Sequence, residues 1–299
     1  MTLGAPAELV AALNRHRLGP VLHAERVPGS VANQDYRVRT GRTEVIAKLG
    51  DRFELAAEAW ACERVRRAGV SAPEVIGFEA GPPELTSALL LLRCFPGRPV
   101  EGAAGPVLVE AGRQLRLAHT IALDGFGRLA GAGEPAAGQE RQGPAPSWDR
   151  VMHAVLPVLE HLVAAGVLDR PLADRVAEAV SDHSGLLAYE GPGVLLHGDL
   201  KLEHVFADRG RFVGLIDWGD VLSGDPLFDL ARFSMAGPEA LAALARGYEL
   251  EPEPEHRARS ALYRISWNVS ALGYELDAGG DWFATYRGRV EADLRELER

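Results

Sequence analysis

The stretch that decides the fold is His197-Gly198-Asp199-Leu200-Lys201-Leu202-Glu203-His204. It follows the apolar run at residues 194–196 and leads into Val205-Phe206, so a charged loop lies between two strand-like segments. Thirteen residues after His204 stands Asp217, within Ile216-Asp217-Trp218-Gly219-Asp220. Gly224-Asp225-Pro226-Leu227-Phe228-Asp229 then begins seven residues after Asp217. Two carboxylates on neighbouring loops, each behind an apolar run, suit proton transfer and cation binding. Capping or turn-forming aspartates are the plainer alternative for each taken alone.

A second signal lies in the basic residues. Of the 32 lysines and arginines only Lys48 and Lys201 are lysine. Skewed coding composition explains an arginine excess. A lysine in that background marks a place where a compact point charge serves and a planar fork does not. Lys201 falls inside the loop quoted above, two residues after Asp199.

The chain around these loops divides into two parts. Residues 1–18 read as an amphipathic helix with Leu9, Val10, Leu13 and Leu18 near one face. Strand-like runs follow near 21–27, at 35–39 and at 44–49, the last two joined by the turn Thr40-Gly41-Arg42-Thr43. Residues 55–68 predict a helix stopped by Gly69, and 75–78 and 88–94 predict two more strands. Phe95-Pro96-Gly97-Arg98-Pro99 is a turn-rich break, giving a boundary between residues 1–95 and 96–299. Helices are predicted beyond it at 107–119, 148–165, 171–184, 238–248, 256–274 and 281–298, with short apolar runs at 194–197, 205–207 and 212–216. Residues 125–143 read as a loop rich in Gly, Ala and Pro. The expected class is α+β: an antiparallel sheet with one inserted helix, then a mostly helical part.

Composition narrows the function. The chain has 299 residues and a formal net charge of −10. Residues 1–95 are close to neutral, so the acidity lies in the second part, where it would favour a cationic small ligand by complementarity, although a generic solvated acidic surface accounts for most of these charges. An acidic chain argues against nucleic acid as a partner. No apolar run approaches the about 20 residues a membrane helix needs. Cys62 and Cys94 alone exclude a disulfide framework and a cysteine zinc site. The start of the sequence lacks the pattern of a secretory leader, so a cytoplasmic location is expected.

At these motifs the sequence resembles the aminoglycoside phosphotransferase family, within the bilobal protein-kinase-like fold. That family carries H-G-D-x-x-x-x-N, an I-D-W-like metal loop and G-D-P-x-x-D. Pro28-Gly29-Ser30-Val31-Ala32-Asn33-Gln34-Asp35-Tyr36-Arg37-Val38 resembles its nucleotide-covering loop and second strand, and residues 89–99 resemble its interlobe hinge. The resemblance implies a nucleotide-binding lobe at 1–95 and, at 96–299, a lobe with catalytic loop, metal loop and acceptor site. It implies Asp199 as the residue orienting the acceptor hydroxyl and Lys201 as a contact to the transferring phosphate. Lys48 matches the lysine on the α- and β-phosphates, and Glu58 its ion-pair partner. Gly29 and Ser30 match the loop over the phosphates. Asp217 matches the Mg²⁺ ligand. His204 stands where the family has Asn. Macrolide phosphotransferases resemble H-G-D-x-x-x-x-H here, which implies a second metal ligand. His197 and Asp229 match residues that hold the loop backbone. Tyr263, Trp267, Tyr274, Glu275 and Asp277 fall in the region that forms the acceptor pocket, although Tyr263 and Trp267, four apart, suit a helix core, which is the better reading for each residue taken singly.

The expected activity is therefore phosphoryl transfer from ATP or GTP to a hydroxyl of a small molecule, with Mg²⁺. An antibiotic such as an aminoglycoside or a macrolide is the leading acceptor. A metabolite kinase of the same fold, a protein kinase and a catalytically dead nucleotide-binding module are the alternatives. Against a protein kinase stand Trp218-Gly219 after Asp217, the short spacing to Gly224 and the absence of an A-P-E motif.

Overall fold

In the computed structural model, the described residues are 6–28, 33–81, 85, 87–102, 104–130, 141–250, 253 and 255–298. Gly29 and Ser30 lie outside them. Helix α1 (Ala7–Arg15) precedes strands β1 (Val21–Arg26), β2 (Gln34–Thr40) and β3 (Glu44–Gly50). Helix α2 (Arg52–Arg67) is inserted before β4 (Val75–Glu79) and β5 (Ala88–Arg93). The five strands form one antiparallel sheet in the order β1-β2-β3-β5-β4.

The two-residue period of β3 and β5 sorts their side chains between two helices. Val45, Ala47, Leu49, Leu89 and Leu91 pack with Leu9 and Leu13 of α1. Ile46, Leu90 and Leu92 face the other way and pack with Leu55, Ala59 and Cys62 of α2. Lys48 shares the second face, so the alternation that builds the sheet also aims the lysine at α2. That helix starts where Asp51 caps it, accepting from the backbone N–H groups of Phe53 at 2.8 Å and Glu54 at 3.1 Å.

After β5 the strands become short. β6 (Arg98–Pro99) leads to α3 (Gly105–Ala118), β7 (Ala122–Leu123) and β8 (Gly127–Arg128). Helices α4 (Trp148–His153) and α5 (Val155–Ala164) replace the single helix predicted over residues 148–165. Pro157, in the first turn of α5, has no N–H for the carbonyl of His153, so the ladder breaks there. Helices α6 (Arg170–Asp182) and α7 (Ser184–Leu187) precede β9 (Gly193–Leu196), β10 (Val205–Asp208), β11 (Arg211–Leu215) and β12 (Leu222–Gly224). Helices α8 (Leu227–Phe233), α9 (Pro238–Tyr248), α10 (His256–Ala278) and α11 (Phe283–Leu297) close the chain. Sequence periodicity did not resolve α8, which is buried on every side and has no polar face to reveal it.

Two small sheets position the loops. One has the order β11-β10-β6 and the other β7-β9-β12-β8. Pairing of Leu196 with Leu222 sets the loop after β9 beside the loop between β11 and β12. The core beneath is continuous, and Trp148 meets Phe228 and Tyr263 edge to face, with centroids 5.5 and 5.9 Å apart. Among the described residues no helix is long and apolar enough to cross a membrane.

Candidate active site

Lys48 is 5% exposed and Glu58 is 1% exposed. The lysine Nζ donates to both oxygens of Glu58, at 2.9 and 2.7 Å, and to Oδ1 of Asp217 at 2.8 Å. β3, α2 and the loop after β11 thus meet at one ammonium group. Burial works against the charge on Lys48, but Asp217 and Glu58 outweigh it and hold the amine well above its ordinary value. Burial pushes the Glu58 carboxyl up to about 7 against the pull of Lys48. Lys48 holds Asp217 well below the usual aspartate range, against burial and with help from His204. Asp217 also has left-handed backbone, φ 65° and ψ 63°, a conformation that Asp tolerates better than most residues.

The loop after β9 is fixed from below. Asp229, at the start of α8, is fully buried and accepts from the backbone N–H of His197 at 2.7 Å and of Gly198 at 2.9 Å. Its Oδ2 also lies 3.1 Å from Nε2 of His119, whose Nδ1 is 2.8 Å from the Tyr248 hydroxyl. Burial opposes ionisation of Asp229, yet His119, His197 and the Gly198 N–H keep its carboxyl below the ordinary value. His197 donates from Nε2 to the Ile216 carbonyl at 2.9 Å, tying the two loops together. Burial, and then His204, lower its pKa, so it is a neutral structural donor.

Asp199 rises from this platform. Its Oδ1 receives two nitrogens of Arg232, Nε at 2.8 Å and Nη2 at 2.7 Å, and its Oδ2 lies 3.2 Å from the Lys201 ammonium. Burial raises the Asp199 carboxyl, but Arg232, His204 and Lys201 together bring it below its ordinary value. The group is an anion at neutral pH.

His204 bridges the two loops. Its Nδ1 is 2.8 Å from the carbonyl oxygen of Asp199, which only accepts, so Nδ1 carries a proton. Its Nε2 faces Oδ2 of Asp217 at 3.2 Å. Two lone-pair carriers that close need a proton or a cation between them. Mg²⁺ sites commonly use one or two protein ligands with phosphate and water, and this pair fits that pattern. Among the described residues no set of three or more His, Cys, Asp or Glu side chains is grouped to hold a metal on its own.

The chain matches the model of the APH phosphotransferase enzyme family over residues 23–263. It belongs to that family. Hygromycin-B 4-O-kinase of Escherichia coli is 29% identical over 135 residues, a match spanning 43% of this chain and 39% of that enzyme. The crystal structure of aminoglycoside phosphotransferase APH(4)-Ia superposes with a TM-score of 0.72 at 18% identity, covering 97% of this chain and 99% of that one. A candidate fructosamine-3-kinase from Thermobifida fusca YX-ER1 gives 0.76 at 20% identity, covering 99% and 100%. A choline/ethanolamine kinase family protein from Mesorhizobium loti gives 0.67 at 21% identity, covering 97% and 95%. The fold of this APH-family chain is thus α+β and protein-kinase-like.

The structure brings Lys48, Glu58, Asp199, Lys201, His204 and Asp217 into one connected group. The residues expected at the acceptor pocket lie in different surroundings. Tyr263 is 1% exposed and belongs to the core, donating to Asp225 at 2.7 Å and accepting from the Trp148 indole at 2.9 Å. Asp277 turns to His161 at 3.1 Å. Glu275 is 5% exposed, with the Trp282 N–H 3.4 Å from its Oε2. Tyr274 is 43% exposed, and Trp267 is half-buried with its indole N–H donating to the Gly198 carbonyl at 3.1 Å. Sequence reasoning missed Arg232, His119 and Asp35. Asp35 pairs in register with Lys48, and burial raises its carboxyl, one oxygen of which is buried without a hydrogen-bond partner. Only the composition of β2 hinted at it, as an acid inside a strand.

Proposed function

We propose that this protein transfers the terminal phosphoryl group of ATP or GTP to a hydroxyl of a small molecule. The observation that carries this reading is the hydrogen-bonded string from Glu58 through Lys48, Asp217 and His204 to Asp199. Phosphoryl transfer asks a protein for positioning and charge stabilisation, and this string supplies both. Residues 1–95 form the nucleotide lobe in this reading and 96–299 the lobe that carries acceptor chemistry.

Lys48, held in place by Glu58, binds the α- and β-phosphates; Gly29 and Ser30, assigned to phosphate binding by the resemblance alone, lie outside the described residues. Nucleotide phosphates then replace Asp217 as the outer partner of the ammonium group. Asp217 and His204 are the residues that would hold Mg²⁺. When bound, the ion screens the charge of the phosphate oxygens. Asp199 orients the acceptor hydroxyl through Oδ2 and accepts its proton as the new P–O bond forms and the bond from the γ-phosphorus to the bridging oxygen breaks, releasing the nucleoside diphosphate. Lys201, beside that oxygen, faces the transferring phosphate. The two cysteines, both free thiols, and the nucleotide donor suit a cytoplasmic setting.

An antibiotic acceptor of the aminoglycoside or macrolide type follows from the family. A metabolite acceptor is the second reading. It is favoured by the turning of Asp277 to His161 and the burial of Glu275, which withdraw two of the carboxylates expected at the acceptor pocket. The test is transfer from ATP and from GTP, with Mg²⁺, to a panel of aminoglycosides, macrolides and small amino alcohols. Product formation that disappears in Asp199→Asn is the expected result. Undiminished turnover in Asp199→Asn removes Asp199 from the chemistry and the reading with it.

A further inference from the structure

Asp199 is held from outside its own loop. Both Arg232 contacts fall on the same oxygen, Oδ1. Arg232 is 7% exposed, and its guanidinium carbon lies 4.0 Å from the centre of the Trp267 ring. Its third nitrogen, Nη1, meets the Met235 sulfur at 3.7 Å. Trp267 in turn donates its indole N–H to the carbonyl of Gly198, the residue before Asp199. One arginine–tryptophan unit, drawn from α8 and α10, therefore grips both the Asp199 side chain and the backbone leading into it.

We propose that Arg232, stacked on Trp267, is the positioning residue that fixes Oδ1 of Asp199 so that Oδ2 alone meets the acceptor hydroxyl. The inference rests on the phosphotransferase reading given above. A carboxylate has two equivalent oxygens and a broad, two-fold terminal rotor. Two nitrogens on one oxygen break that equivalence. Arginine suits the task because its charge persists at every working pH and its planar fork stacks on an aromatic face. Lysine offers one point of attachment and no stack.

The experiment compares Arg232→Met, Arg232→Lys and Trp267→Phe with wild type and Asp199→Asn. Each is assayed for thermal midpoint, MgATP affinity and steady-state transfer. The acceptor is the fastest member of the panel above, or water where none reacts. In Arg232→Met we expect kcat to fall about 100-fold while MgATP affinity and acceptor KM move less than about threefold. Arg232→Lys should recover part of kcat but remain about tenfold below wild type. Crystals of Arg232→Met should show the Asp199 carboxylate in more than one orientation.

A folded Arg232→Met with wild-type kcat and a single Asp199 orientation overturns the proposal. If Arg232→Met does not fold, wild-type kcat in both Arg232→Lys and Trp267→Phe overturns it. A lowered thermal midpoint with unchanged kcat makes Arg232 a stabilising ion pair only, and also overturns it. Turnover that survives in Asp199→Asn sinks the phosphotransferase assignment of Asp199 itself. Loss in Asp199→Asn with none in the arginine variants sinks the clamp alone.

Discussion

Nε2 of His204 faces Oδ2 of Asp217 across 3.2 Å, while Nδ1 of the same ring is committed to the Asp199 carbonyl. Imidazole nitrogen is a softer donor than an amide oxygen, so this pair should prefer Mn²⁺ to Mg²⁺ more than an Asn–Asp pair would. We expect a non-hydrolysable ATP analogue to bind at lower Mn²⁺ than Mg²⁺ concentration. His204→Asn should narrow or reverse that order. Calorimetric titration reads the affinities directly, and the same metal preference in both proteins would remove His204 from the metal.

Lys48 is the cation shared by Glu58 and Asp217. Lys48→Met leaves a buried carboxylate without its counter-charge, which costs about 3 kcal/mol of stability. In its proposed phosphate-binding role, loss of Lys48 should weaken nucleotide binding at least about tenfold, as a charge-assisted contact would be lost. Urea unfolding and nucleotide titration check the two effects separately. A variant as stable as wild type would show that Glu58 finds another partner.

The buried carboxylate of Asp229 supports the Asp199 loop through two backbone N–H groups and His119. Because its folded-state pKa lies below the ordinary value of 3.8, its ionised contacts stabilise the fold above that pH. That stability is lost as pH falls through the folded-state value. We expect Asp229→Asn to lose about 3 kcal/mol at neutral pH. The gap to wild type should close in acid. Unfolding midpoints measured from pH 7 down to pH 3 test this, and a constant gap would contradict it.

Gly198 has φ 84°, and a Cβ there would stand 2.0 Å from the carbonyl oxygen of Asp220. Gly198→Ala should therefore push apart the two loops that carry Asp199 and Asp217. We expect a cost of about 3 kcal/mol in stability, from strain and overpacking together. Transfer should fall by about 100-fold, because the two carboxylates lose their spacing. Paired melting and rate measurements decide the matter.

Much of this arrangement was legible along the chain. Asp199, His204 and Asp217 lie within nineteen residues of one another, on loops announced by short apolar runs. Lys48 stands out as one of two lysines, and the alternation of Val45, Ala47 and Leu49 around it aims it away from α1. Glu58 falls one helical turn after Leu55, on the face of α2 that packs against the sheet. Such features depend on residue type and short-range period, which a sequence carries directly.

What lay beyond it depends on distance through space. Arg232 reaches Asp199 across 33 positions of sequence and His119 reaches Asp229 across 110. Neither partner is marked by a local pattern, since arginine is the ordinary base of this chain and His119 closes a helix turn. The two-residue strands β6, β7 and β8 are too short for any period to register. The sequence determined which groups the reaction has available. The tertiary structure decided which of them restrain one another, because a buried charge is held by whichever partner the packed core brings within hydrogen-bond reach.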